Sequence, residues 1–244
     1  VKAVFNASWL SRHGQAGVTY LSGEAVSADF HFCPGGVDLF GEMAYAPVSR
    51  SIAALSGLSV PVPGGFRLSA LLRGYPAGYG NGYAGAARAG TKVSDEYGAA
   101  VGLSRGYGIR NRTDLRADLA FGGGPFLASL RGNVLLCKET GCLAYMESGY
   151  KGDRLACYLR GTVFRVDNWD DRIYVYERDA PGSFSVPAYY GRGFNLSLYC
   201  GLKSAPTGAK LRWKLYFRGW TTRYRKKMKK PGDTGLKLQL VIDL

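Results

Sequence analysis

Histidine is nearly missing from this chain: only His13 and His31 occur among 244 residues. They have no metal-ligand spacing around them and no nucleophile in a recognisable pattern beside them. No catalytic, cofactor-binding or metal-binding residue is therefore expected, and the chain is read as a non-enzyme. A phosphate loop is also missing, since Gly122-Gly123-Gly124-Pro125 lacks the lysine and the following Ser/Thr. Long apolar runs are absent as well. The longest uncharged stretch, Ser51 to Phe66, is interrupted by Gly57, Pro61, Pro63, Gly64 and Gly65. A spanning helix needs about 20 mainly apolar residues, so none is expected.

Acidic residues are scarce relative to basic ones, 18 against 32, for a formal charge of +14. Cysteine is sparse and odd in number: Cys33, Cys137, Cys142, Cys157 and Cys200. Five cannot form a complete disulfide framework. Cys137 and Cys142 flank the short turn Lys138 to Gly141, so a crosslink between them stands beside the plainer reading of scattered small apolar residues.

Glycine and tyrosine are abundant, at 35 and 17 residues. The dominant period is two. In Leu211 to Arg218, Leu211, Trp213, Leu215 and Phe217 share one face, and Arg212, Lys214, Tyr216 and Arg218 share the other. Side chains of a strand alternate between its faces, so this is a strand with an apolar and a cationic side. Leu155, Cys157, Leu159 and Val163 alternate with Tyr158, Arg160 and Thr162 in the same way. Phe194, Leu196, Leu198 and Cys200 alternate with Asn195, Ser197 and Tyr199, and the chain ends on Leu236, Leu238, Leu240 and Ile242.

The pattern places about 16 strands, near residues 2–11, 14–21, 24–32, 36–45, 50–59, 65–74, 80–88, 95–106, 113–121, 128–137, 142–150, 155–165, 170–178, 191–200, 211–218 and 236–244. Many approach ten residues, the length of a tilted membrane strand (roughly 9–11) rather than the 5–6 usual in soluble proteins. Aromatic residues such as Tyr75, Tyr79, Tyr107, Trp169, Tyr189, Tyr190 and Trp220 fall near strand ends, as in the girdles at lipid–water interfaces. The expected fold is all-β: a closed antiparallel transmembrane β-barrel. Residues 1–244 would form one outer-membrane domain, with further strands ahead of Val1. A soluble β-sandwich is the competing architecture.

If the last strand ends in the periplasm, Gly219 to Gly235 and Asp179 to Tyr190 are outer loops and Gly201 to Ala209 is a periplasmic turn. Arg212, Lys214 and Arg218 would form a lumen-facing basic stripe, because facing lipid would cost about 2–4 kcal/mol each at the midplane. Asp170, Asp171, Arg172, Glu177 and Arg178 are candidates for a polar network. Arg223, Arg225, Lys226, Lys227, Lys229 and Lys230 form a basic outer loop. That loop suits plain solvation, anionic lipopolysaccharide, a partner protein or, least, a nucleic acid, and it specifies none of them.

The stretch Asp167 to Asp179, with Arg172-Ile173-Tyr174-Val175-Tyr176-Glu177 at its centre, is followed by Pro187-Ala188-Tyr189-Tyr190-Gly191. Together with Tyr79 to Ala86 and Asp95 to Gly98, it resembles the C-terminal barrel region of Bacteroidota outer-membrane proteins named for a helix-hairpin-helix domain. The resemblance covers roughly residues 35–244 and implies a bacterial outer-membrane location. Helix-hairpin-helix segments lie ahead of the β region in that family, and this sequence shows none, so no specific nucleic acid is expected as a partner. The functional expectation is a structural or accessory subunit of a membrane complex, in contact with outer-membrane lipid, lipopolysaccharide and outer-membrane or periplasmic proteins. A passive pore for small, anionic solutes is the alternative, and an outer-membrane enzyme the weaker one.

Overall fold

The computed structural model describes residues 4–21, 25–47, 50–75, 111–204, 212–225 and 232–243. Fifteen strands occur in them. The first six are β1 (Val4–Ser11), β2 (Gly14–Leu21), β3 (Ala25–Phe32), β4 (Asp38–Ala46), β5 (Ser51–Val62) and β6 (Phe66–Tyr75). Next come β7 (Arg112–Gly123), β8 (Phe126–Leu136), β9 (Thr140–Lys151) and β10 (Leu155–Val166). Two very short strands follow, β11 (Ile173–Tyr174) and β12 (Ala188–Tyr189). The last three are β13 (Gly191–Lys203), β14 (Arg212–Tyr224) and β15 (Asp233–Asp243). Among the described residues, no helix is long and apolar enough to cross a membrane.

The expectation of a closed barrel is corrected. Thirteen strands form one sheet in the linear order β1 to β10, then β13, β14 and β15, and the order does not return from β15 to β1. The reason is physical. Period-two patterning decides which face of a strand is apolar, whereas closure depends on edge pairing, which that pattern does not encode. Residues 170–178, expected as a sheet strand, are also corrected: β11 and β12 form a separate two-stranded sheet. The 211–218 strand runs on to Tyr224, and its partner starts at Asp233, which shortens the expected 219–235 loop at both ends. The expected strands 80–88 and 95–106 lie outside the described residues.

The chain divides into two compact units. The first contains β1 to β5, each antiparallel to the next. Register lines up Val26, Tyr45 and Ile52 on an exposed apolar face. The opposite face carries small side chains at one end, with Ala44, Ala46 and Ala53 buried together and Ser27 and Ser51 also buried, and Asp29, Glu42, His31 and Asp38 further along.

The second unit contains β9 (from Gly141), β10, β13, β14 and β15, again antiparallel in sequence. Register sets Leu159, Leu198 and Leu236 on one apolar face, all exposed. Phe217 pairs with Leu238 and Leu215 with Leu240 on that same face. Leu236 and Leu238 are 69% and 66% exposed. The polar face is the covered one: Tyr145, Glu147, Arg160, Thr162, Asn195, Tyr216 and Arg218 are all buried. Antiparallel order puts Lys151, Leu155, Lys203 and Arg212 at one end of these strands and Val166, Gly191, Tyr224 and Asp233 at the other.

Candidate functional site

The polar face of the second unit is covered by the long connection between β10 and β13. From Arg172 onward this segment folds back as a hairpin. Ile173 pairs with Tyr189, and Tyr174 with Ala188. The Val175 amide donates to the Pro187 carbonyl at 3.4 Å, and the Glu177 amide donates to Ser185 at 2.9 Å. The turn is Ala180-Pro181-Gly182-Ser183, closed by the Ser183 amide donating to the Ala180 carbonyl at 3.0 Å. Proline suits the second position of such a turn, and Gly182 supplies the required positive φ of 77° at the third.

The hairpin is anchored by charge. Arg218 on β14 donates from Nη2 to Glu177 Oε2 at 2.6 Å and from Nη1 to Asp179 Oδ2 at 3.3 Å. Lys237 on β15 reaches Asp179 Oδ1 at 3.1 Å, and the Gln239 amide donates to the Pro181 carbonyl at 3.1 Å. The Tyr189 hydroxyl donates to Glu177. Glu177 is 2% exposed and Arg218 8% exposed, so the pair is removed from water. Burying charge is costly unless each ion is paired and hydrogen-bonded; both terminal nitrogens of Arg218 are paired here, while its buried Nε has no hydrogen-bond partner.

A second cluster sits beside it. Arg160 on β10 donates from Nε to Glu147 Oε2 at 2.9 Å and from Nη1 to the Tyr176 carbonyl at 2.6 Å. Arg178 grips the other oxygen of Glu147 from Nε at 3.0 Å and from Nη2 at 2.9 Å. The Arg160 guanidinium also lies 4.2 Å over the Tyr145 ring, and Arg178 lies 3.7 Å over Tyr158. Tyr158 can lie there because its register partner is Gly149, where a Cβ would stand 2.2 Å from the ring. The cavity left between these groups is about 10 Å³ and is lined by Glu147, Tyr158, Arg160, Arg178, Tyr199 and Arg218, with Ser197 and Leu198. That is on the order of one water molecule's space.

The base of the connection is tied by Asp167. Arg192 donates to it from Nε at 2.6 Å and from Nη2 at 2.7 Å. This two-pronged contact holds the Asp167 carboxyl below the usual carboxylate range, against a smaller opposing desolvation. Trp169 stacks edge-on against Tyr190 at 4.5 Å nearby.

Of the residues singled out from sequence, Glu177, Arg178 and Arg218 meet in this network. Arg172 lies outside it: its Nε donates to the Tyr174 hydroxyl at 2.6 Å and its guanidinium lies 4.7 Å over Trp169. Asp171 is fully buried, next to Gly141, whose Cβ position is 3.0 Å from the Asp171 carbonyl oxygen. Asp170 lies in a short 3-10 turn, Trp169–Asp171. Lys214 is half-buried on β14, and Arg212 pairs in register with Asp243. Arg223 and Arg225 are exposed, and the Arg225 amide donates to the Arg192 carbonyl at 2.9 Å. Lys226, Lys227, Lys229 and Lys230 lie outside the described residues. No disulfide joins Cys137 to Cys142. Asp179, which follows Glu177 and Arg178 in the same charged run, joins them. Sequence reasoning missed Glu147 and Lys237 as partners, although each lies on the polar side of an alternating strand.

No protein-family pattern matches the chain, and no curated protein matches it. Among solved structures it is similar to a bacterial polysaccharide outer membrane secretin. The likeness has a TM-score of 0.53 and 10% sequence identity, over 100% of this chain and 79% of that one. At that identity the likeness is one of fold.

Proposed function

We propose that this chain is a structural subunit of a β-sheet assembly in the bacterial outer membrane, with its apolar face in lipid and its polar face filled by its own hairpin. The observation that carries this reading is the hairpin of residues 173–189, whose carboxylates pair with Arg218 and Lys237 across the polar face of the second unit. Water does not tolerate so broad an exposed apolar face as Leu159, Leu198, Leu236 and Leu238 present, whereas hydrocarbon does. The fold likeness to an outer-membrane secretin supports the same location. Strands β1 and β15 each pair on one side among the described residues. Hydrocarbon penalises unpaired backbone groups, so each edge calls for a strand of a neighbouring protein, which favours an accessory role in a complex. Exposed Arg223 and Arg225 suit contact with anionic lipopolysaccharide. Membership of the Bacteroidota helix-hairpin-helix group rests on sequence resemblance alone, at Asp167 to Asp179, Pro187 to Gly191, Tyr79 to Ala86 and Asp95 to Gly98.

A second reading, passive passage of small anionic solutes, draws support from the basic stripe and from the secretin-like fold. Planar-bilayer recording separates the two. The structural reading expects no discrete, salt-dependent conductance steps and expects an outer-membrane or periplasmic protein to co-purify. Reproducible steps from the purified chain would replace it with the pore reading.

A further inference from the structure

In the first unit, one turn gathers three metal-binding side chains. Cys33 Sγ lies 3.3 Å from His31 Nε2 and 2.9 Å from Asp38 Oδ1, and His31 Nε2 is 3.7 Å from the same oxygen. The turn that brings them together is Cys33 to Val37. Gly35 and Gly36 take positive φ of 59° and 83°, which lets Asp38 return beside Cys33. The Cys33 amide is pinned by the His13 carbonyl at 2.7 Å. Arg67 Nη1 holds the other carboxylate oxygen, Oδ2, at 3.1 Å and also donates to Ser59 Oγ at 3.2 Å. Oδ1 is thereby left facing the thiol and the imidazole.

We propose that His31 Nε2, Cys33 Sγ and Asp38 Oδ1 form a three-ligand site for a divalent transition metal of the zinc class, with water as the fourth ligand. Zinc bonds of about 2.0–2.3 Å set tetrahedral ligand–ligand edges near 3.3–3.6 Å. The Cys33–His31 and His31–Asp38 separations, 3.3 and 3.7 Å, lie within a few tenths of an ångström of those edges, and the 2.9 Å Cys33–Asp38 contact, a thiol hydrogen bond, must open by roughly 0.7 Å as the metal takes the proton's place. The thiolate and imidazole select zinc, cobalt or nickel over magnesium or calcium. On binding, the metal replaces the thiol proton, which leaves to water. Sequence reading weighed histidines against histidines and cysteines against cysteines, and this turn combines one of each with an aspartate five residues on.

The test is cobalt(II) titration of the full chain in detergent, followed by zinc displacement. One equivalent of cobalt should give a thiolate-to-metal charge-transfer band and intense tetrahedral visible bands, both abolished by zinc. Cys33→Ser should remove the charge-transfer band, and His31→Gln should weaken cobalt binding by at least about tenfold. Cys157→Ser should leave both unchanged. In the wild-type chain, zinc should also protect Cys33 from alkylation, as read by mass spectrometry, which covers the case of a variant that does not fold. An absent band, a band that survives Cys33→Ser, or alkylation of Cys33 at the same rate with and without zinc would overturn the site.

Discussion

Arg218 is the residue on which the covered polar face turns. It bonds to Glu177 and Asp179 while 8% exposed. Removing one partner of a buried ion pair leaves the other charged and unpaired, at a cost of about 3–5 kcal/mol. Arg218→Leu is therefore expected to lower the unfolding midpoint in detergent sharply, and Arg225→Ala, on an exposed cation, to change it little. Equal effects of the two would remove the distinction between the faces. Tyr189→Phe deletes one donor to Glu177 and is expected to cost less, about 1–3 kcal/mol. Asp167 sets a pH dependence at the base of the hairpin. Its pKa is depressed by Arg192, so the stabilisation is complete above the unfolded-state value and is lost as pH falls through the folded one. Proteolysis of the 167–190 connection should rise in that acid window, and Asp167→Asn should show the loosened behaviour already at neutral pH.

The elements were legible to different degrees. Strands such as β10, β13 and β15 could be read directly, because apolar and polar side chains alternate without interruption, as in Leu155 to Val163 and Leu236 to Ile242. The hairpin could not. Arg172 to Arg178 also alternates, but Asp171, Ile173, Val175 and Glu177 are buried against protein rather than facing lipid. Alternation does not distinguish a strand of the large sheet from one folded over it. The turn at Pro181-Gly182 does not separate them either, because it falls in the stretch Asp179 to Tyr190 that reads as a loop in both cases. Gly182→Val is a direct probe of that turn. Nothing lies within 4 Å of its Cβ position, so the cost comes from φ alone and is expected to be about 1–2 kcal/mol, read as easier proteolysis at the tip.

At the scale of the molecule, the apolar face was legible in sequence and closure was not. Every outward row, such as Leu159, Leu198 and Leu236, follows from period two and register. Whether β1 and β15 meet depends on edge pairing, and the structure gives a linear order. The account's central claim is that one face of this open sheet meets lipid while the other is covered by the chain's own hairpin. Spin labels placed singly at Leu196, Ser197 and Leu198 in bilayers test it most directly, by collision with lipid-soluble oxygen and with a water-soluble nickel chelate. The account predicts high oxygen accessibility at 196 and 198 with a minimum of both reagents at 197. High nickel accessibility at 196 and 198 would contradict it.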